Sequence, residues 1–174
     1  MKKFIKDKIR EAVSMPSFDL PQNTQPTPED LQMLKNITWH DIILDVKKDD
    51  GVSTFYFDVK FKNPELNKFS DSIVFSIQQI KGTYFHPHLF LSDKLQGMGV
   101  APKLMKAFIM DFGHIYVTKA RTLNPNFTKM IQGLANDPEL ESYSDDKATV
   151  VMKKGNPDRD ELLKIIRNNP SQAV

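Results

Sequence analysis

Gln96-Gly97-Met98-Gly99-Val100-Ala101-Pro102-Lys103-Leu104-Met105-Lys106-Ala107-Phe108-Ile109-Met110 is the stretch on which the reading of this chain turns. The run before it, Tyr84 to Leu91, is apolar and aromatic and predicts a strand. After the glycines, Val100, Leu104, Ala107 and Phe108 fall on one helical face, with Met105 at its margin. The order is therefore strand, glycine turn, helix. Glycines at i and i+2 permit positive φ and let the backbone come close to a ligand. A helix that starts there offers free N–H groups and the positive end of its dipole, which together make an anion site. Such a site needs no cationic side chain, although Lys103 and Lys106 lie nearby. Pro102 has no N–H to give but is tolerated in a first helical turn.

The 174 residues fit one domain with a true core. A hydrophobic content of 40% and a charged content of 26% are those of an ordinary globular protein. Net charge is +2 and the basic residues are scattered, so nucleic acid is the least favoured partner. With no cysteine there is no disulfide, thiol nucleophile or zinc-thiolate site. No apolar run reaches membrane-spanning length, and Lys and Asp interrupt every apolar patch near the N-terminus, so no signal peptide is read. The expected location is cytoplasmic.

Working outward, Lys2 to Ser14 predicts a short amphipathic helix with Phe4, Ile5, Ile9, Ala12 and Val13 on one side and Lys2, Lys3, Lys6, Lys8 and Arg10 on the other. Pro16, Pro21, Pro26 and Pro28 then mark an extended linker. The helix reads as a docking segment or as a terminal helix packed on its own domain, ahead of a membrane-surface helix, for which it is short and weakly apolar. With the linker, residues 1–28 read as an arm of the kind that hooks a subunit onto a neighbour, which predicts a protein partner, a homo-oligomer or a larger assembly. Thr27-Pro28-Glu29-Asp30 starts a helix carrying Leu31, Met33 and Leu34. Trp39 to Val46 and Val52 to Phe61 read as strands joined at Asp49-Asp50-Gly51. Asn63 to Asp71 reads as a loop, Ser72 to Ile80 as a strand and Lys81-Gly82 as a turn. Pro87 inside the next strand marks an edge or a break in its ladder. His114 to Ala120 predicts a strand, Asn124 to Leu134 a helix, Asp137 to Asp146 an acidic loop and Ala148 to Lys153 a last strand. Asn156-Pro157 caps a C-terminal helix that Pro170 ends.

Gln96-x-x-Gly99-x-Ala101, followed by Leu104, resembles the acyl-CoA-binding motif of the GNAT superfamily of N-acyltransferases. The order of elements from Glu29 to Lys153 is similar to that family's as well. The resemblance implies an α/β (α+β) fold with a mixed, mostly antiparallel sheet flanked by helices. It covers residues 29–154, with the arm (1–28) and the C-terminal helix and tail (155–174) outside it. It implies acetyl-CoA as acyl donor, held by the backbone of Gln96, Gly97, Met98, Gly99, Val100 and Ala101. It also implies that the strand before the helix splays from the next parallel strand and that CoA lies in the opening.

In the family a backbone N–H on the splayed strand polarises the thioester, which places that contact among Leu89, Phe90 and Leu91. Asn124 matches the residue that holds the pantetheine arm. The acid, usually a Tyr seven residues on, is replaced by Ile131, and Ala135-Asn136 stands where Gly-Phe is expected. Tyr116 and Tyr143 lie elsewhere. The candidate bases are Asp93, His86 and His88, only one of the two histidines facing the cleft. His86-Pro87-His88 also resembles half a metal site without a third ligand, and His114 reads as a strand-start residue. Three functions stay open: N-acyl transfer to a primary amine, an inactive domain of the same fold placed by its arm in a virion or other particle, and an unrelated α+β domain with a merely structural turn.

Overall fold

A computed structural model describes residues 25–47, 53–80, 84–118 and 124–167. The expected arm helix, the turns at Asp49-Asp50-Gly51 and Lys81-Gly82, the end of the strand at Ala120, and Pro170 lie outside these residues. The fold is α+β, with antiparallel ladders flanked by helices.

Helix α1, Pro28–Asn36, begins as the sequence predicts. The Thr27 side chain accepts from the Asp30 N–H and the Asp30 carboxylate accepts from the Thr27 N–H, which satisfies two orphan donors at once. Asp30 is buried and ion-paired at 2.7 Å with Lys68 from a distant segment. That bond and the Thr27 amide hold its carboxyl below the ordinary 3.8. A lowered folded pKa contributes stability that is present above the unfolded value and disappears as pH falls through the folded one. Asp30→Asn is therefore expected to cost stability at pH 7 and to flatten the loss of stability below pH 4. Urea melts at pH 7 and pH 3 check this, and parallel wild-type and variant curves would refute it.

The first strand starts later than expected. Thr38 N–H and hydroxyl both bond Asp41 Oδ2, at 2.7 and 2.9 Å, which winds Trp39–Asp41 into a 3-10 turn. Strands β1 (Ile42–Lys47), β2 (Thr54–Phe61), β3 (Ile73–Ile80) and β4 (Tyr84–Leu91) follow and form one antiparallel sheet in that spatial order. The expected loop between β2 and β3 is instead 3-10 helical over Pro64–Ser72. Asn63 caps it, and Leu66 and Phe69, three apart on one side, are wholly buried.

Helix α2, Val100–Phe112, crosses one face of this sheet. It buries Val100, Leu104, Met105, Ala107, Phe108 and Ile109. Phe108 sits edge-on to Phe57, Phe75 and Phe85, at 5.6, 5.7 and 5.9 Å between ring centroids.

Strand β5 (His114–Thr118), helix α3 (Pro125–Ala135), strands β6 (Leu140–Ser144) and β7 (Ala148–Lys153) and helix α4 (Arg159–Arg167) complete the chain. The second sheet has the order β5-β7-β6. The acidic stretch expected to be a loop thus contains a strand. Its Leu140 end is buried and paired with Lys153, while Glu141, Ser142 and Ser144 give it a polar surface. Helix α4 closes the side of this sheet that carries Tyr116, Val150 and Met152, using Leu162 and Leu163. Asn156 ties it down, accepting from Asp158 N–H and donating to Gly113 O. Among the described residues no helix is long and apolar enough to cross a membrane.

Candidate functional site

The two sheets meet at β4 and β5, which touch but share no ladder. The reason is visible in the backbone. Groups on successive strand residues point to opposite edges. Ser92 N–H donates to Ser72 O across from β4 to β3. Counting back along an unbroken register, Phe90, His88 and His86 bond toward β3, while Leu91, Leu89 and Pro87 face the other edge. Pro87, with no N–H, therefore stands where β3 asks nothing of it. On β5 the Gly113 carbonyl accepts from Lys153 N–H, so Tyr116 turns its backbone groups toward β4.

One end of this seam is closed. Phe85 stacks on buried His114 at 4.9 Å, and His86 Nδ1 lies 3.0 Å from the Tyr116 carbonyl. Both pairings advance in the same direction along both strands, as in a parallel pair. A carbonyl only accepts, so Nδ1 of His86 carries the proton in that bond. From His86 to Phe90 the seam borders a cleft of about 470 Å³. Tyr56, Val74, Ser76, His86, Pro87, His88, Leu89 and Phe90 line one side of it, and Val117, Asn124 and Phe127 the other. Both histidines, two apart on one strand face, thus border the cleft where only one was expected.

The glycine turn stands at the end of β4. Gly97 and Gly99 have φ of +75° and +72°, and Gly99 is the N-cap of α2. A Cβ at Gly97 would meet nothing within 4 Å, so that side of the turn is open to a guest. Gln96 braces the turn by donating from Nε2 to Leu91 O at 3.2 Å and to Asp93 Oδ1 at 3.0 Å. It thereby bonds the Leu91 carbonyl, which faces the edge away from β3. Asp93 is exposed on this loop, beyond the end of β4, and its carboxylate holds Gln96.

Both nearby lysines are bonded outside the turn, although Lys103 Nζ lies 4.0 Å from where a Cβ at Gly99 would stand. Lys103 Nζ caps the end of α1, donating to Leu34 O and Lys35 O at 3.3 and 2.7 Å, and burial lowers its pKa. Lys106 is held by Asp137 at 2.7 Å and Glu139 at 2.6 Å, which outweigh its burial and raise its pKa. What the turn presents to an anion is backbone, the first amides of α2 and its dipole, with the Lys103 ammonium beside Gly99.

Asn124 caps α3, its Oδ1 accepting from Asn126 N–H at 2.9 Å, and it lines the cleft. Ile131 is buried in the main core. Tyr116 and Tyr143 pack in the cluster under α4, and burial pushes the Tyr116 phenol up. Of the two cleft histidines, His86 is buried and His88 exposed, their rings 5.0 Å apart and at 76°. Among the described residues no three His, Asp or Glu side chains group as metal ligands.

The structure thus brings His88, Leu89 and Asn124 to one cleft, but Leu91, Asp93 and the Gln96 to Ala101 turn are not among the residues that line it. The turn follows β4 after the 3-10 turn Asp93–Leu95. It separates Asp93 from His88, putting one on the loop and the other on the strand. Tyr56, Ser76 and Phe127 were not foreseen as cleft residues. Tyr56 and Ser76 reach it through the β2–β3–β4 register, and the only sequence signal was the alternation of Tyr56 with Phe55 and Phe57. No protein-family model, curated protein or solved structure matches the chain.

Proposed function

We propose that this chain is an acyl-CoA-dependent N-acyltransferase, with acetyl-CoA as donor and a primary amine as acceptor. One observation carries the reading: β4 and β5 lie side by side without a ladder, a cleft borders their seam, and β4 runs on through a short 3-10 turn into a glycine turn at a helix N-terminus. A thioester ligand needs both features, an anion cradle for its pyrophosphate and an unpaired strand edge for its amide-rich arm. In this reading Gly97, Met98, Gly99, Val100 and Ala101 hold the pyrophosphate. Leu89 offers its edge N–H, and Asn124 its Nδ2 donors, to the pantetheine arm.

The amine nitrogen attacks the thioester carbonyl carbon, and the oxygen takes up charge facing the N–H of Leu89 or Leu91. The C–S bond breaks as the C–N bond becomes an amide, and the CoA thiolate leaves. The ammonium proton of the intermediate passes to His88, the exposed imidazole on the cleft wall. Asp93 acts at one remove, fixing Gln96 and so the turn. Ile131 offers no proton to the thiolate, and a thiolate is a tolerable leaving group without one.

That buried Ile131 favours a second reading, an inactive domain of similar fold placed in a particle through residues 1–28. Calorimetry with acetyl-CoA tests both. Wild type is expected to bind in the micromolar range, and Gly99→Trp with Ala101→Glu is expected to weaken binding at least 100-fold while keeping its circular dichroism. No heat from folded wild type at millimolar acetyl-CoA would sink the enzyme reading. Binding without acyl transfer to any of a panel of primary amines would favour the second.

A further inference from the structure

The face of the four-stranded sheet turned away from α2 carries apolar side chains, and among the described helices only the start of α3, at Asn124 and Phe127, stands beside it, across the cleft at the β4 edge. Alternation puts Ile43, Tyr56, Val74 and Phe90 on this face, since Phe57, Val59 and Phe75 on the other are core. Ile43, Tyr56 and Phe90 are 40%, 47% and 54% exposed. The charges among them are paired with each other, Lys47 with Asp58 and Lys60 with Asp45. What the face offers a partner is therefore apolar area.

We infer that residues 2–14 of this same chain dock on that face as an amphipathic helix, with Phe4, Ile5 and Ile9 against Tyr56, Val74 and Phe90. These residues lie outside the described ones, and three observations point to them. Their predicted apolar side is the complement of the face, and their basic side asks only for water. The chain also leaves the domain in the right place. Asp30, in the first turn of α1, is bound to Lys68, and the same 3-10 segment supplies Ser70 and Asp71 to a groove that Tyr56 and Val74 line. The length suffices too. Ten residues, Met15 to Thr24, separate the predicted helix from the described chain. Extended, they reach about 33 Å, whereas four strands are only about 14 Å across. The inference does not depend on acyl transfer.

The chain has no cysteine, which makes disulfide mapping clean. Ile9→Cys would be combined in the full chain with Tyr56→Cys, with Phe90→Cys, or with Asp111→Cys on exposed α2 as control. Under mild oxidant the first two pairs are expected to close within one chain at least tenfold faster than the control, at a rate that dilution leaves unchanged. A short tether's high effective concentration makes such a difference readable. Rates equal to the control's would overturn the inference, and so would bonds that form only between two chains and fade on dilution. A cysteine-free check is nitration of Tyr56, mapped by mass spectrometry. Ile5→Asp with Ile9→Asp is expected to speed it several-fold, and an unchanged rate would count against docking. Acetyl-CoA binding at the glycine turn is a separate readout, so failure of one proposal leaves the other visible.

Discussion

Phe108→Ala is expected to lower stability by about 4 kcal/mol, within the range for truncating a buried aromatic residue. Phe108 is 1% exposed and lies where α2 meets the sheet. Its ring is edge-on to Phe57 of β2, Phe75 of β3 and Phe85 of β4, so its loss opens a void against three strands at once. Those strands are paired in a fixed register and cannot collapse into the space, which is the condition under which a cavity costs most. Phe112 provides the internal comparison. It stacks on Phe108 at 4.7 Å but is 38% exposed, so Phe112→Ala should cost about 1 to 2 kcal/mol, the area contribution alone. Urea unfolding measures both, and the midpoint should fall while the slope stays constant. A loss below about 1.5 kcal/mol for Phe108→Ala would mean that α2 is not seated as described. The consequence reaches the turn as well, since the first residues of α2 are aimed by the same seating.

Much of this arrangement could be read from the chain, for physical reasons that differ from place to place. Val100, Leu104 and Phe108 repeat at four-residue intervals, and Gly99 punctuates them, so α2 and its start are local facts. Thr27 to Asp30 is likewise a local signal, because a capping box spans four residues. Strand β4 was legible to its end residues through its aromatic run. Where the reading failed, the deciding interaction was longer in range or masked by composition. Leu140 to Ser144 looked like a solvated loop because Glu141, two serines and the flanking acids Asp137, Glu139, Asp145 and Asp146 outweigh Leu140 and Tyr143. It is a strand because β7 pairs with it. Trp39 looked like the start of a strand because the Thr38–Asp41 bonds that wind a turn there compete with an apolar run. At the site, the glycine turn was readable. The commitments of Lys103 to α1 and of Lys106 to Asp137 were not, since their partners lie tens of residues away. Nor could the sequence tell which residues of β4 face the open edge. One hydrogen bond, Ser92 to Ser72, sets that parity.

His86→Leu is expected to cost about 2 to 3 kcal/mol, because it removes the donor to a buried carbonyl without emptying the space. The strands β4 and β5 have no ladder, and their near end is joined by a side-chain bond, His86 Nδ1–H to Tyr116 O, with the Phe85 to His114 stack beside it. Asparagine places an N–H donor close to where Nδ1 stands, at smaller volume. His86→Asn should therefore recover part of the loss, although it leaves a small void. The order of stability, wild type above Asn above Leu, separates a bond from mere filling, for which Leu would be the better replacement. Nitrogen chemical shifts of the imidazole give an independent reading, with the proton expected on Nδ1. If Leu proved as stable as wild type, the seam would be held by packing alone. The opening toward Leu89 would then owe nothing to a fixed point at His86. If the order holds, the cleft is a hinge-like gap, closed at one end by two histidine contacts. Its width at Leu89 follows from where that end is fixed.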